Sequence, residues 1–163
     1  MADDAAPATP LAALPGHLLR RCHQISVALF LDECDGLDLT PLQFAVLRTL
    51  AVEGPLDQAT LGGMAALDRT TVAVVIGKLE ARQMLRRAPS AKDRRAKIVS
   101  ITERGRRLLA RAAPAVARAQ ERTIAPLDAG EAAEFLRLLR KLADANNACS
   151  RAPMRRRREE GGS

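Results

Sequence analysis

The sequence predicts a mainly α-helical chain with one small β-wing, a helix-turn-helix near its centre and long helices at its ends. Three observations carry this. Apolar residues recur at three- and four-residue steps along most of the chain. Aromatic residues make up only 2%, with no Trp or Tyr, which disfavours a sandwich or barrel. The stretch Asp68 to Thr102, DRTTVAVVIGKLEARQMLRRAPSAKDRRAKIVSIT, passes from helical spacing to strand-like pieces around a tight basic loop.

Residues 1–10 are small, Pro-containing and expected to be flexible. A long amphipathic helix follows, its regular part beginning at Pro15, with Leu14, Leu18, Cys22, Ile25, Leu29 and Phe30 as its apolar stripe. Asp35-Gly36 ends it. Thr40-Pro41 starts a second helix with a hydroxyl cap and a first-turn proline, and Leu42, Phe44, Ala45, Val46, Leu47 and Leu50 make it heavily buried. Gly54-Pro55 closes it. Asp57 caps a short third helix, whose Gly62-Gly63 pair marks close backbone packing. Asp68 caps a fourth, with Leu67, Val72, Val75, Ile76, Leu79 and Met84 on its inner side. Two short helices in sequence, the second polar on its outer face, form a helix-turn-helix.

The pieces LRRAP and AKIVSIT form a hairpin around SAKDRR. Thr102 then caps a second long helix, which Pro114 should kink. Asp128 and Glu131 form a capping box for the last helix, in which Phe135, Leu138, Leu139 and Leu142 are apolar. The reading is one domain over 11–149. Its lobe at 40–102 carries the helix-turn-helix, its helices at 11–34 and 103–149 serve dimerisation, and a disordered basic tail covers 150–163. The terminal helices exceed what such a lobe needs, so their apolar stripes call for a two-fold partner.

The formal net charge is +7 and the pI about 10.3, which suits an anionic partner. Arginines between Arg86 and Arg107 contribute as well as the tail. Scarce aromatics argue against single-strand or RNA binding by base stacking. Three scattered cysteines form neither a disulfide framework nor a zinc spacing. No signal peptide or membrane-length apolar run is present, so a cytoplasmic protein is expected. No catalytic arrangement, metal cluster or cofactor motif stands out, so neither an enzyme nor a cofactor is expected.

The order of elements, together with DRTTVAVVIGKLEARQML and RRAPSAKDRRAKIVSITERGRRLL, closely resembles the MarR family of bacterial transcription regulators over nearly all of residues 11 to 145. Asp-Arg-Arg-Ala-Lys followed by Ile-Thr-Glu-Arg-Gly is the specific part of the match. The resemblance implies a triangular homodimer on a pseudo-palindromic DNA duplex. In that assembly the first, fifth and sixth helices form the dimer interface. It also implies a repressor released by a small anionic aromatic acid bound between the dimer helices and the DNA-binding lobe. The DQATLGG…DRTT wording resembles the branch responsive to aromatic-acid catabolites, hydroxylated nicotinic acid included. Two departures stand out. Val74 occupies a position where relatives often carry arginine, and Gln83 replaces the glycine of a common Arg-Gly-Leu ending, so local strain is expected there.

On this reading the fourth helix enters the major groove. Arg69 contacts guanine, Thr70 and Thr71 touch bases or phosphates, Val74 meets a thymine methyl, and Lys78 and Arg82 reach phosphate. For Arg69 the alternatives are a solvated position or a pair with Asp68. The resemblance assigns Arg95 to the minor groove with Asp93 bracing it, and Arg94 is the alternative. Arg86, Arg87, Lys92 and Lys97 add phosphate contacts. His17, Arg20, Arg21, His23 and Gln24 on the first helix are the effector candidates, because arginine's fork matches a carboxylate. Interface salt bridges are the other reading of those arginines. Two other functional classes remain open: a redox-sensing repressor using Cys22, which lies on the apolar stripe where a buried inert thiol is commoner, and a non-specific architectural DNA-binding protein relying on the tail.

Overall fold

The computed structural model describes residues 9–89 and 97–154. Its helices are α1 (Pro15–Glu33), α2 (Pro41–Glu53), α3 (Gln58–Met64), α4 (Arg69–Ala81), α5 (Glu103–Ile124) and α6 (Ala129–Ala145). Three short strands, β1 (Leu56–Asp57), β2 (Leu85–Pro89) and β3 (Lys97–Ile101), form an antiparallel sheet in the order β1-β3-β2. The hairpin register pairs Leu85 with Ile101 and Pro89 with Lys97. β1 escaped the sequence reading because two residues are too short to show a period. It pairs Leu56 with Val99 and ties the start of α3 to the wing.

The expected caps are present. Thr40 and Gln43 form a reciprocal capping box on α2, as do Asp128 and Glu131 on α6. Asp57 accepts from the amides of Ala59 and Thr60, and the Thr102 hydroxyl accepts from the Gly105 amide. Each satisfies first-turn donors that the helix itself leaves free.

α3 and α4 meet at 106°, within the range of a helix-turn-helix. Their contact uses Gly62: a Cβ there would lie 3.1 Å from the Leu67 carbonyl and 3.2 Å from Val72. Beneath them, Val46, Leu47 and Leu50 of α2 join Leu61, Val72, Ile76, Leu79 and Val99 in a core closed by Leu108 and Ala112 of α5. Leu42, expected inside, faces outward. Gln83 has φ +59°, so the strain anticipated from the missing glycine is present.

The terminal helices behave differently. On α1 only Phe30 is buried, and Leu18, Leu19, Ile25 and Leu31 lie exposed. On α6 no residue is buried, and Phe135, Leu136, Leu138, Leu139 and Leu142 face outward. α1 is held against α5 by ion pairs: Arg118 and Arg122 both donate to Glu33 at 2.7 Å, and Arg122 also reaches Asp32. The stripe read into α1 is therefore apolar but uncovered within one chain. Cys22, expected on a buried stripe, is exposed, whereas Cys34 is buried. Among the described residues, no single helix is long and apolar enough to cross a membrane, and no metal-binding cluster of acidic, His or Cys side chains occurs.

Candidate DNA interface and effector pocket

α4 presents a narrow solvent-facing strip. Arg69, Thr70, Ala73, Val74 and Lys78 are exposed, while Val72, Val75, Ile76 and Leu79 are buried. The strip combines one long cation at the start, a hydroxyl, a methyl-bearing middle and a second cation one turn before the end. Small residues at its centre let the helix axis approach a surface closely, and a cation at each end suits a polyanion.

The helix start is fastened by Asp68. One carboxylate oxygen accepts from the amides of Thr70 and Thr71 at 3.0 and 2.9 Å, and the other accepts from the Thr71 hydroxyl at 2.7 Å. These hydrogen bonds, led by those from Thr71, hold the Asp68 carboxyl below its ordinary value. Two sequence expectations change here. Asp68 is engaged by the cap and makes no ion pair with Arg69 among the described residues. Thr71 directs its hydroxyl to Asp68 and lies half-buried, a contact that braces the helix start.

Arg82, expected on phosphate, is committed elsewhere. It donates to the Asp38 backbone carbonyl at 2.6 Å and pairs with the Asp38 carboxylate at 3.1 Å, across the loop joining α1 and α2. Helical periodicity had placed it near the groove, but the helix ends at Ala81 and its side chain turns back to the body. Arg87 likewise pairs with Glu80 of α4, which lowers the Glu80 carboxyl and raises the Arg87 guanidinium. Arg86 and Lys97 are exposed on the wing strands. Lys92, Asp93, Arg94 and Arg95 lie outside the described residues.

The first helix splits its candidates between two faces. Arg20 donates to Gln24 at 3.0 Å and lies 3.3 Å from His17, so these three form one exposed row, as helical spacing implied. They lie outside the small pocket formed between α1, α2 and α5. His23 lines it: with Ser26, Val27 and Phe30 of α1, Pro41 and Phe44 of α2, and Gln120 of α5, it encloses about 230 Å³. That is below the range of drug-sized sites and suits one small ring. The rings of Phe30 and Phe44 sit 5.9 Å apart at 55°, a tilted aromatic wall. Arg21 lines neither this pocket nor the row. Ser26, Val27 and Phe30 went unread as lining residues, although they stand three, four and seven positions after His23 on one helical face. The Phe44 and Gln120 contributions are long-range and had no local signal.

Burial raises the Cys34 thiol above its ordinary value, and Cys22 and Cys149 are exposed and unbridged. Nothing here brings two sulfurs together.

Comparison with known proteins bears on this geometry. A model of the MarR family matches residues 39–97. The transcriptional repressor NicR of Pseudomonas putida is 37% identical over 80% of this chain and 83% of its own length. The Streptomyces coelicolor PcaV regulator, in complex with its natural ligand, superposes with a TM-score of 0.79 at 38% identity, covering 85% of this chain and 97% of its own. Bordetella bronchiseptica BpsR, whose DNA binding is regulated by 6-hydroxynicotinic acid, gives 0.75 at 35% identity, covering 79% and 98%.

Proposed function

The chain belongs to the MarR family, a winged helix-turn-helix regulator of transcription, and we propose that its homodimer is a repressor released by a small anionic aromatic or heteroaromatic acid. The observation that carries the release mechanism is the position of the 230 Å³ pocket. Its walls come from α1 and α5, helices that the family resemblance gives to the dimer interface, and from α2, which packs directly on the helix-turn-helix. A ring inserted there separates or clamps the two layers. Ligand then favours one spacing of the two α4 helices over another, and only such a difference can alter operator affinity.

Chemistry at the pocket supports the aromatic part of the ligand class; its lining holds no Arg or Lys among the described residues, so the carboxylate part rests on the likeness to NicR and BpsR. Phe30 and Phe44 take a flat ring, while His23, Ser26 and Gln120 offer hydrogen bonds at its edge. A regulator similar to NicR and BpsR points to a hydroxylated pyridine carboxylate as the first compound to try. The uncovered apolar faces of α1 and α6 support the dimer, since a second copy buries both stripes.

In this reading Arg69, Thr70, Val74 and Lys78 face the major groove, and Arg86 and Lys97 flank it on phosphate. Arg95, braced by Asp93 and with Arg94 as the alternative, completes the minor-groove contact implied by the family resemblance, and Lys92 adds a phosphate contact.

The test is fluorescence anisotropy with the promoter duplex beside the protein's own gene and a scrambled duplex. Operator preference at physiological salt, lost on adding 6-hydroxynicotinic acid or a related acid, is the expected result. Equal binding to both duplexes would sink the regulator reading. Operator preference that no aromatic acid alters would sink the effector reading alone.

A further inference from the structure

After α6, a short 3-10 turn (Asn147–Cys149) leads into a loop that is closed on itself. The Asn147 side chain donates to the Met154 carbonyl at 3.0 Å and accepts from the Met154 amide at 2.7 Å. Ser150 accepts from the Ala152 amide. Residues 150–154, the first five of the stretch expected to be disordered, carry these contacts. This loop is placed with purpose: Arg151, Ala152 and Pro153 form one wall of a cavity of about 650 Å³. The facing walls are the start of α3, the start of α4 with Asp68 and Arg69, and Lys97 at the beginning of β3.

Three cations from three separate parts of the chain, Arg69, Lys97 and Arg151, thus share one cavity. None has an ion-pair partner within 4 Å among the described residues. The two carboxylates on the wall, Asp57 and Asp68, cap α3 and α4 and stay ionised, Asp68 within the field of Arg151, so the wall carries three positive and two negative charges. Arg155 to Arg158 follow the loop directly in sequence.

We propose that this C-terminal loop is part of the DNA interface, and that Arg151, with Arg69 and Lys97, seats a backbone phosphate beside the start of α4. The proposal rests on the DNA-binding reading above and extends it to a segment that helix-turn-helix geometry does not require. Guanidinium and ammonium groups lining one cavity offer charge-assisted donors to a phosphate's oxygens, and the Asn147 clasp holds the loop that carries Arg151. Contact with phosphate carries no sequence information, so the loop adds affinity equally to any duplex.

The experiment measures duplex binding by anisotropy across a salt series for the full-length wild type, Arg151→Gln, Arg151→Glu and Asn147→Ala. Arg151→Gln should weaken operator and scrambled duplex alike, by roughly fivefold, and lower the slope of log affinity against log salt by about 0.9. Arg151→Glu should weaken binding further, and Asn147→Ala should reproduce part of the Arg151→Gln loss. Thermal melts matching the wild type exclude misfolding, since Arg151 is exposed. Unchanged affinity and slope would overturn the proposal. Tighter binding would overturn it too, by showing that the loop occludes the helix. Because the scrambled duplex serves as well as operator, absence of operator preference in the wild type defeats the regulator reading without disturbing this readout.

Discussion

Arg82 at the end of α4 donates to the backbone carbonyl of Asp38 and pairs with its carboxylate, joining α4 to the loop that leaves α1. Asp38 holds φ +49°, a conformation that non-glycine residues seldom adopt, so the loop is shaped to present its carbonyl. Arg82→Ala should cost about 1 kcal/mol, a charge-assisted bond discounted for partial exposure. Asp38→Ala should cost less, because the carbonyl remains. The salt slope of DNA binding should be unchanged in Arg82→Ala. A slope lowered by about one would return Arg82 to the phosphate contacts.

Asp68 holds the first turn of α4 through three hydrogen bonds. Asp68→Ala should destabilise the protein by about 1 kcal/mol and loosen the placement of Arg69 and Thr70. Thr71→Val removes only the hydroxyl partner. Its predicted signature is a small stability loss with operator preference retained. Loss of operator preference at wild-type stability would instead make Thr71 a reader of bases.

These two cases show what the sequence could and could not express. Caps, helix spans and the Gln83 strain depend on neighbours within a few positions, so Asp68, Thr40, Asp128 and Gln83 were legible from local chemistry. Partners of long side chains were not. Arg82 lies 44 positions from Asp38, and Arg118 lies 85 from Glu33, so periodicity could place each arginine on a face without saying what it meets. The residues of the small pocket divide along the same line. His23 and its helical neighbours Ser26, Val27 and Phe30 obey a local rule, whereas Phe44 and Gln120 arrive only through packing.

Gly105, the glycine of the Ile-Thr-Glu-Arg-Gly segment, has a packing reason. A Cβ there would collide with the Met84 carbonyl and lie 2.8 Å from Ile101, with Leu47 at 3.3 Å. Backbone cannot yield as a side-chain tip can, so Gly105→Ala should destabilise by about 2 to 3 kcal/mol or more. Its α-helical position makes alanine otherwise the better residue, so the sign isolates the steric term. Chemical denaturation with an unchanged m value is the measurement, and a neutral or stabilising outcome would contradict the packing.

His23 of α1 and Phe44 of α2 both line the small pocket. His23→Ala and Phe44→Leu should leave operator affinity near wild type and raise the acid concentration needed for release by about tenfold, the worth of about 1.4 kcal/mol. Substituting His17 should change release little, because His17 belongs to the exposed row with Arg20 and Gln24. The ratio of release midpoints, read by anisotropy at fixed DNA, separates the two faces. A His17 effect exceeding that of His23 would move the effector to the exposed row.

Glu33 ties α1 to α5, and hydrogen bonds from Arg118 and then Arg122 hold its carboxyl below the ordinary value of 4.5. A carboxylate with a depressed folded-state pKa favours the fold while ionised in both states. That contribution is complete above the unfolded-state value and fades as pH falls through the lower folded-state value. Glu33→Gln should therefore melt lower than wild type at pH 7. The gap should narrow as pH falls below about 4.5, where the wild-type carboxylate begins to protonate in the unfolded chain. Asp57, Asp68 and Glu80 are also depressed, but they titrate equally in both proteins and cancel from the difference. Paired thermal melts from pH 7 to pH 3 give the comparison. A gap independent of pH would mean that Glu33 contributes by packing alone, and that α1 rests on α5 without the aid of its ion pairs.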